Sequence, residues 1–329
     1  MNYNRDVDHY ITNRALELIS AGYSEAQAAK LISEEVDMQV SRSVVHGRVY
    51  RRNAGGVELD LGSRLVMPYF DEYRAYYDGD EPPKAKTSYD FSEGPLKILV
   101  LNDLHTPWQH RGAFKQALLE NRSADVLVAS EVSDLYSLTS FAKYQHSSFE
   151  LEVEEIIRLF ELFNAAFPIT YVVSCGHDRR LPRYILSRIR TDLLFLVETD
   201  LMGVLARPFS RVVTIPENHY QINDAVFTHF DISSSVPMRS AIRSHEWIQS
   251  WEEHVDVDPY RLLVQAHSHG SGILNLPGVQ LVESGCLQEI PRWVMNKHPR
   301  KPWVHGWVVA YQNDGVTDLN ATQLRVYRG

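Results

Sequence analysis

Cysteine is nearly absent from this sequence: Cys175 and Cys286 are the only two among 329 residues. A disulfide framework is therefore not expected, and a reducing cytoplasm is the natural setting. No run of about 18 or more apolar residues occurs, so no transmembrane helix and no membrane partner are expected. The opening Met1-Asn2-Tyr3-Asn4-Arg5-Asp6 lacks the apolar stretch of a secretory signal. An excess of positive charge is missing too, with 33 basic against 42 acidic residues and a net charge of −9. That balance argues against a surface that coats nucleic acid wholesale.

What is present is unevenly distributed. Apolar residues make up 44% of the chain, enough for a sizeable core. Residues 38–53 contain Arg42, Arg48, Arg51 and Arg52 and no acid. Upstream, Ile11, Ala15, Leu16 and Ile19 recur at helical spacing up to Gly22. Ser24 and Gln27 form a capping box for a second helix through Ala28, Leu31 and Ile32. Ser41 opens a third helix with Val44, Val45 and Val49. Three short helices, the last one basic, predict a helix-turn-helix domain over residues 1–55. Under a DNA-reading role, Arg42, Ser43, His46 and Arg48 face the groove while Arg51 and Arg52 hold phosphates. An interaction bundle with a solvated basic face fits the same pattern.

Residues 56–95 read as an aromatic-rich connector packed on a larger domain at 96–329. There the texture changes to short apolar runs with polar ends. Ile98-Leu99-Val100-Leu101 leads to Asp103, Val126-Leu127-Val128-Ala129 to Glu131, and Tyr171-Val172-Val173 to His177. Helices are expected near 112–121 and 150–166, which makes this an α/β domain whose strands are covered on both faces. Later strands at 211–215, 219–222, 225–229, 262–266, 273–275 and 279–282 come mostly without long helices and predict hairpins and a second sheet. A final hairpin over 306–327 turns at Asn313-Asp314-Gly315.

Candidate ligands stand where those strands end: Asp103-Leu104-His105, Glu131, His177-Asp178, His229, and His267-Ser268-His269. Ligand-bearing loops gather at the C-terminal strand edge of open α/β sheets. A lone histidine at a strand end is more often a hydrogen-bonded structural residue. The ordered set is a different matter. The D-x-H, G-D-x-x-D, G-N-H-[DE], H and G-H-x-H blocks are those of calcineurin-like metallophosphoesterases, which the sequence resembles over most of residues 96–290. The helical domain in front looks like an arrangement found in some phage-encoded members, for which the host cytoplasm is the implied location. The resemblance implies a four-layer fold, with two β-sheets flanked by helices, behind the small all-α domain.

It also implies roles. Asp103, His105 and His269 would hold one divalent ion, Glu131 would bridge, and His229 and His267 would hold a second. His177 would stand near the leaving oxygen, oriented by Asp178. Mixed nitrogen and oxygen ligands suit Mn first, with Fe, Zn or Mg as alternatives, at one or two ions per chain. Two metals roughly 3.5–4 Å apart clamp the attacking and leaving oxygens of a phosphoester. Several positions depart from the family. Glu131 replaces Asp, Gly176 replaces a ligating Asn, and glycines are lost at Ser130, Cys175 and Ala266, where a left-handed backbone would be strained. Asp134 reads as a supporting or capping residue, and Arg179 and Arg180 as surface pairs, with contact to the phosphate as the alternative. The expected function is a metal-dependent phosphodiesterase or nuclease acting on nucleic acid, with an impaired second metal position. The alternatives are a degenerate DNA- or protein-binding module and a small-molecule or protein phosphatase.

Overall fold

The computed structural model describes residues 14, 15, 17, 18, 25–35, 91–139, 147–190, 200–250, 256–290 and 303–328. The chain divides into two compact units, Met1–Met67 and Pro68–Gly329. In the first unit, α1 (Glu25–Glu35) buries Ala28, Ala29 and Ile32, and Ala15 and Leu18 of a preceding helical stretch are buried as well. Arg14 joins the two segments by pairing with Glu35 at 2.8 Å and with Glu17 at 2.7 Å. The expected third helix, with Arg42, Ser43, His46, Arg48, Arg51 and Arg52, lies outside the described residues, as does the connector up to residue 90.

In the second unit, β1 (Pro95–Leu101), β2 (Val126–Ser130), β3 (Ile169–Val173) and β4 (Val212–Ile215) run parallel in that order. β10 (Gly306–Asn313) pairs antiparallel with β1 and carries β11 (Val316–Thr317) and β12 (Gln323–Val326). A second sheet has the order β5 (His219–Ile222), β6 (Ala225–Thr228), β7 (Leu262–Gln265), β9 (Val279–Ser284), β8 (Ser271–Leu276). Asp314 and Gly315 both have positive φ, 48° and 74°, the pair of conformations that a tight two-residue hairpin turn requires.

Strand alternation explains the layers. Successive side chains of β1 point to opposite faces. Leu99 and Leu101 pack with Leu127, Ala129 and Val172 against helices, while Ile98 and Val100 pack with Val126, Val128 and Val173 against Phe227, Leu262 and Val264 of the second sheet. The helical layer consists of α2 (Arg111–Glu120), α3 (Phe149–Ala166) and α5 (Leu201–Ala206). α3 buries Ile156, Leu159, Phe160 and Phe163 at helical spacing, and Ser148 caps its N-terminus by accepting from the Leu151 amide at 3.1 Å. On the outer face of the second sheet, α6 (Arg239–Ser250) covers Val226, Leu263 and Leu281 with Ala241 and Ile248. Helices, sheet, sheet and helix thus stack as four layers.

One sequence expectation needs correction. β6 and β7 are parallel, not a hairpin, and α6 makes the crossover that a parallel pair requires. The helix went unseen because it is polar overall, its narrow buried face holding Ser240 and Ser244 beside Ala241 and Ile248, although its apolar side chains do recur at helical spacing. Among the described residues no helix is long and apolar enough to cross a membrane.

This packing predicts a contrast along α3. Phe160→Ala, at a fully buried side chain, should cost about 3–5 kcal/mol in urea unfolding. Ile157→Ala, at a position 38% exposed, should cost less than about 1 kcal/mol. Equal losses would mean that α3 presents a different face to the sheet.

Candidate metal centre

Register brings the functional loops together. Leu101, Ala129 and Val172 are level across the first sheet, so the chain leaves β1, β2 and β3 along one edge. Thr228 and Gln265 are level in the second sheet, which sets His229 beside Ala266 and His267. The two edges are joined by buried polar side chains. Asn102 donates to Ser284 at 2.9 Å and accepts from Ser130 at 2.7 Å, linking β1 and β2 to β9.

The side chains predicted as ligands converge there. Asp103, His105, Glu131 and His269 form one group able to hold a cation, and Glu131, His229 and His267 form another. Glu131 belongs to both. His229 Nε2 lies 3.1 Å from Asp103 Oδ1 and 3.1 Å from Glu131 Oε2. His269 Nε2 lies 3.4 Å from Asp103 Oδ1, whose carboxylate also accepts from the His267 amide at 3.1 Å. His105 Nε2 lies 3.0 Å from Glu131 Oε2, yet neither nitrogen of that ring makes a hydrogen bond. Nδ1 of His229 and of His269 are likewise buried without one. Unsatisfied buried nitrogens are costly. Atoms that approach closely without hydrogen-bonding, in a set of imidazoles and carboxylates, fit a shared divalent cation.

The backbone is bent to achieve this. Asp103, His105, Glu131, His267 and His269 all have left-handed φ, between 46° and 70°. Such conformations cost non-glycine residues about 1–3 kcal/mol each and persist where surrounding structure enforces them. Ser130, Cys175 and Ala266 are not among the left-handed residues, so losing glycine there brings no strain. In these turns the ligand itself takes the left-handed conformation, one residue after Ser130 and after Ala266.

Electrostatics follows from burial and mutual attraction. Burial disfavours the charge on Asp103, but His269 and His229 outweigh it and hold the carboxyl below its ordinary range. Burial likewise opposes the charge on Glu131, which His105, His177 and His229 keep well below a normal glutamate. The same carboxylates raise His105 and His229 against the effect of burial. His177 goes the other way. Burial lowers it to about 4 despite Glu131.

His177 is held differently from the sequence expectation. Arg180 Nη2 lies 2.8 Å from its Nε2 and can only donate, so Nε2 accepts and the neutral ring carries its proton on Nδ1. That nitrogen faces Glu131 Oε1 at 3.1 Å and Asp134 Oδ1 at 3.6 Å. Arg180 is itself tied to Asp134 Oδ1 at 2.6 Å, so it is not a surface pair. Asp178 does not orient the ring. It accepts from Ser133 Oγ at 2.6 Å and from the Cys175 amide at 2.9 Å, fixing the turn that precedes His177. Asp134 joins His105 and His177 in a third group of ligand-type atoms. Its place three residues after Glu131, inside the G-D-x-x-D block, was the available signal. Arg180 carried no signal of its contacts.

No protein-family model matches the chain, and no curated protein matches it either. Solved structures with a similar course include a hypothetical protein from Pyrococcus horikoshii, at 10% identity and a TM-score of 0.40 over 71% of this chain and 87% of that one. Vacuolar protein sorting 29 from Cryptosporidium parvum is 11% identical, with a TM-score of 0.36 over 72% of this chain and 100% of the other. An archaeal phosphodiesterase is 10% identical, with a TM-score of 0.35 over 70% and 100%. Likeness of that degree says nothing of chemistry, which rests on the side chains above.

The shared carboxylate makes a stoichiometry prediction. Glu131→Ala should weaken both ions by about 10-fold or more, whereas His267→Ala should weaken only one. Mn titration of chelator-stripped protein by calorimetry reads both. Loss of a single ion in Glu131→Ala would remove Glu131 from the bridging place.

Proposed function

We propose that this chain is a metal-dependent phosphodiesterase of the calcineurin-like metallophosphoesterase type, acting on nucleic acid. The observation that carries the reading is the pair of ligand groups, buried but for the half-buried His267, joined through Glu131 at the aligned edges of two sheets. Divalent ions bound there would polarise a phosphoryl oxygen and lower the pKa of water enough for attack at neutral pH. Mn suits the mixed imidazole and carboxylate set.

The chain's own residues divide the remaining work. Asp103 is pinned by the His267 amide, so its carboxylate keeps one aim. Burial keeps His177 neutral, and Arg180 takes its Nε2, turns Nδ1 towards the carboxylates and offers guanidinium charge beside the place where a phosphate would sit. His177 would therefore assist through Nδ1, or through Nε2 only after Arg180 has moved to the substrate.

A polymeric substrate is supported by the surface that follows. α4 (Arg180–Leu186) begins three residues after His177, and Arg179, Arg183 and Arg188 in and around it are exposed. Tyr184 is 45% exposed and Arg188 lies over its ring at 5.3 Å. Arginines beside an exposed aromatic suit a single strand, with phosphates on the guanidinium groups and a base on the ring. The basic stretch at residues 42–52 would add a second contact on the same class of partner.

Two measurements test this. Mn should stimulate hydrolysis of bis(p-nitrophenyl) phosphate, and His267→Ala should abolish it. Absence of turnover above that blank would leave a binding module as the surviving reading. The Arg183→Ala, Arg188→Ala double variant should flatten the salt dependence of single-stranded oligonucleotide binding by about 0.7 in log–log slope per arginine. An unchanged slope would move the substrate track elsewhere.

A further inference from the structure

The second ligand group offers one carboxylate and two imidazoles, because Gly176 contributes no side chain. What fills the space beside Gly176 is another acid. A Cβ placed on Gly176 would lie 3.1 Å from Asp231 Oδ1 and 3.6 Å from Oδ2. We propose that Asp231 completes the second metal position, its carboxylate standing where a side chain at residue 176 would otherwise reach. The inference rests on the dinuclear reading above.

Three observations support it. Asp231 lies two residues beyond His229 on the chain leaving β6, and its charge is felt at the His267 ring, although its oxygens stand outside the compact group formed by Glu131, His229 and His267. Its base is firmly set. The buried Phe230 packs on Trp247 at 4.8 Å, and its carbonyl accepts from the Ile232 amide at 2.6 Å and from Gln265 Nε2 at 3.1 Å. The carboxylate itself is exposed, and among the described residues it accepts no hydrogen bond and pairs with no arginine or lysine. An acid fixed at its base, free at its tip and beside Gly176 needs only to turn its carboxylate to reach the incomplete set of donors. Hard oxygen donors of full charge strengthen the hold on Mn or Mg relative to a neutral amide.

The arrangement accounts for Gly176 as well. A side chain there would meet the exposed tip of Asp231 at 3.1 Å, so the two compete for the same space unless Asp231 turns aside.

The test is Mn binding to the chelator-stripped full chain, by calorimetry together with electron paramagnetic resonance of coupled Mn pairs. Wild type should bind two ions and show the coupled signal. Asp231→Ala should keep the first ion, weaken the second by about 10-fold or more and lose the coupling. Gly176→Asn combined with Asp231→Ala should recover the second ion, which a misfolded variant would not do. Two ions of unchanged affinity in Asp231→Ala, or a single ion in wild type, would overturn the proposal. Binding is read without turnover, so two coupled ions in a protein that hydrolyses no phosphoester would sink the functional reading and leave Asp231 in place.

Discussion

Two carboxylates, Asp103 and Glu131, are buried within a few ångströms of five imidazoles, and much of the second unit can be understood as what that cluster demands. A buried carboxylate is tolerated only when opposite charge or strong donors compensate for lost water. Here His105, His229 and His269 do so, and the proton that His229 shares with Asp103 and Glu131 is one that a divalent cation would replace. The requirement reaches into the backbone. Ligand after ligand is turned into the left-handed region so that its side chain points into one small volume.

Such a volume needs rigid walls. The four-layer stack supplies them because both sheets are covered on both faces, and a fully packed strand cannot slip register without turning its apolar residues outwards. Between the sheets the core is aliphatic and aromatic, but at the edge that bears the ligands it becomes polar. Asn102, Ser130 and Ser284 link the sheets there, and Glu283 accepts from the Ser240 and Ala241 amides at the start of α6. Polar cross-links are directional, so they fix the spacing of the two edges in a way that apolar contact does not.

The departures from the family pattern have different physical meanings once contacts are known. Loss of glycine at Ser130, Cys175 and Ala266 is neutral to the backbone, since the left-handed residue lies elsewhere in the turn. Gly176 is matched by the acid beside it. Arg180 changes the character of His177 by taking its Nε2, which no spacing argument could have suggested. The strand positions were legible because a strand covered on both faces needs a short continuous apolar run, and β1, β2 and β3 each supply one that stops abruptly at a polar residue. α6 was not legible, since its polar average, with serines on the buried face, masks an otherwise regular helical period.

The sequence by itself determined the chemistry on offer: which residues are ligand-type, their order, and their place directly after apolar strands. Those are local properties, written in residue identity and period. Only the tertiary structure decided which of them meet. It put Glu131 in both ligand groups, Asp134 and Arg180 around His177, Asp178 on Ser133 instead of the imidazole, and Asp231 against Gly176. Those meetings depend on the register of parallel strands and on the alignment of two sheets, and both are set by packing between residues far apart in the chain. A pattern read along one dimension can name the donors, but the distance between them is a property of the closed core.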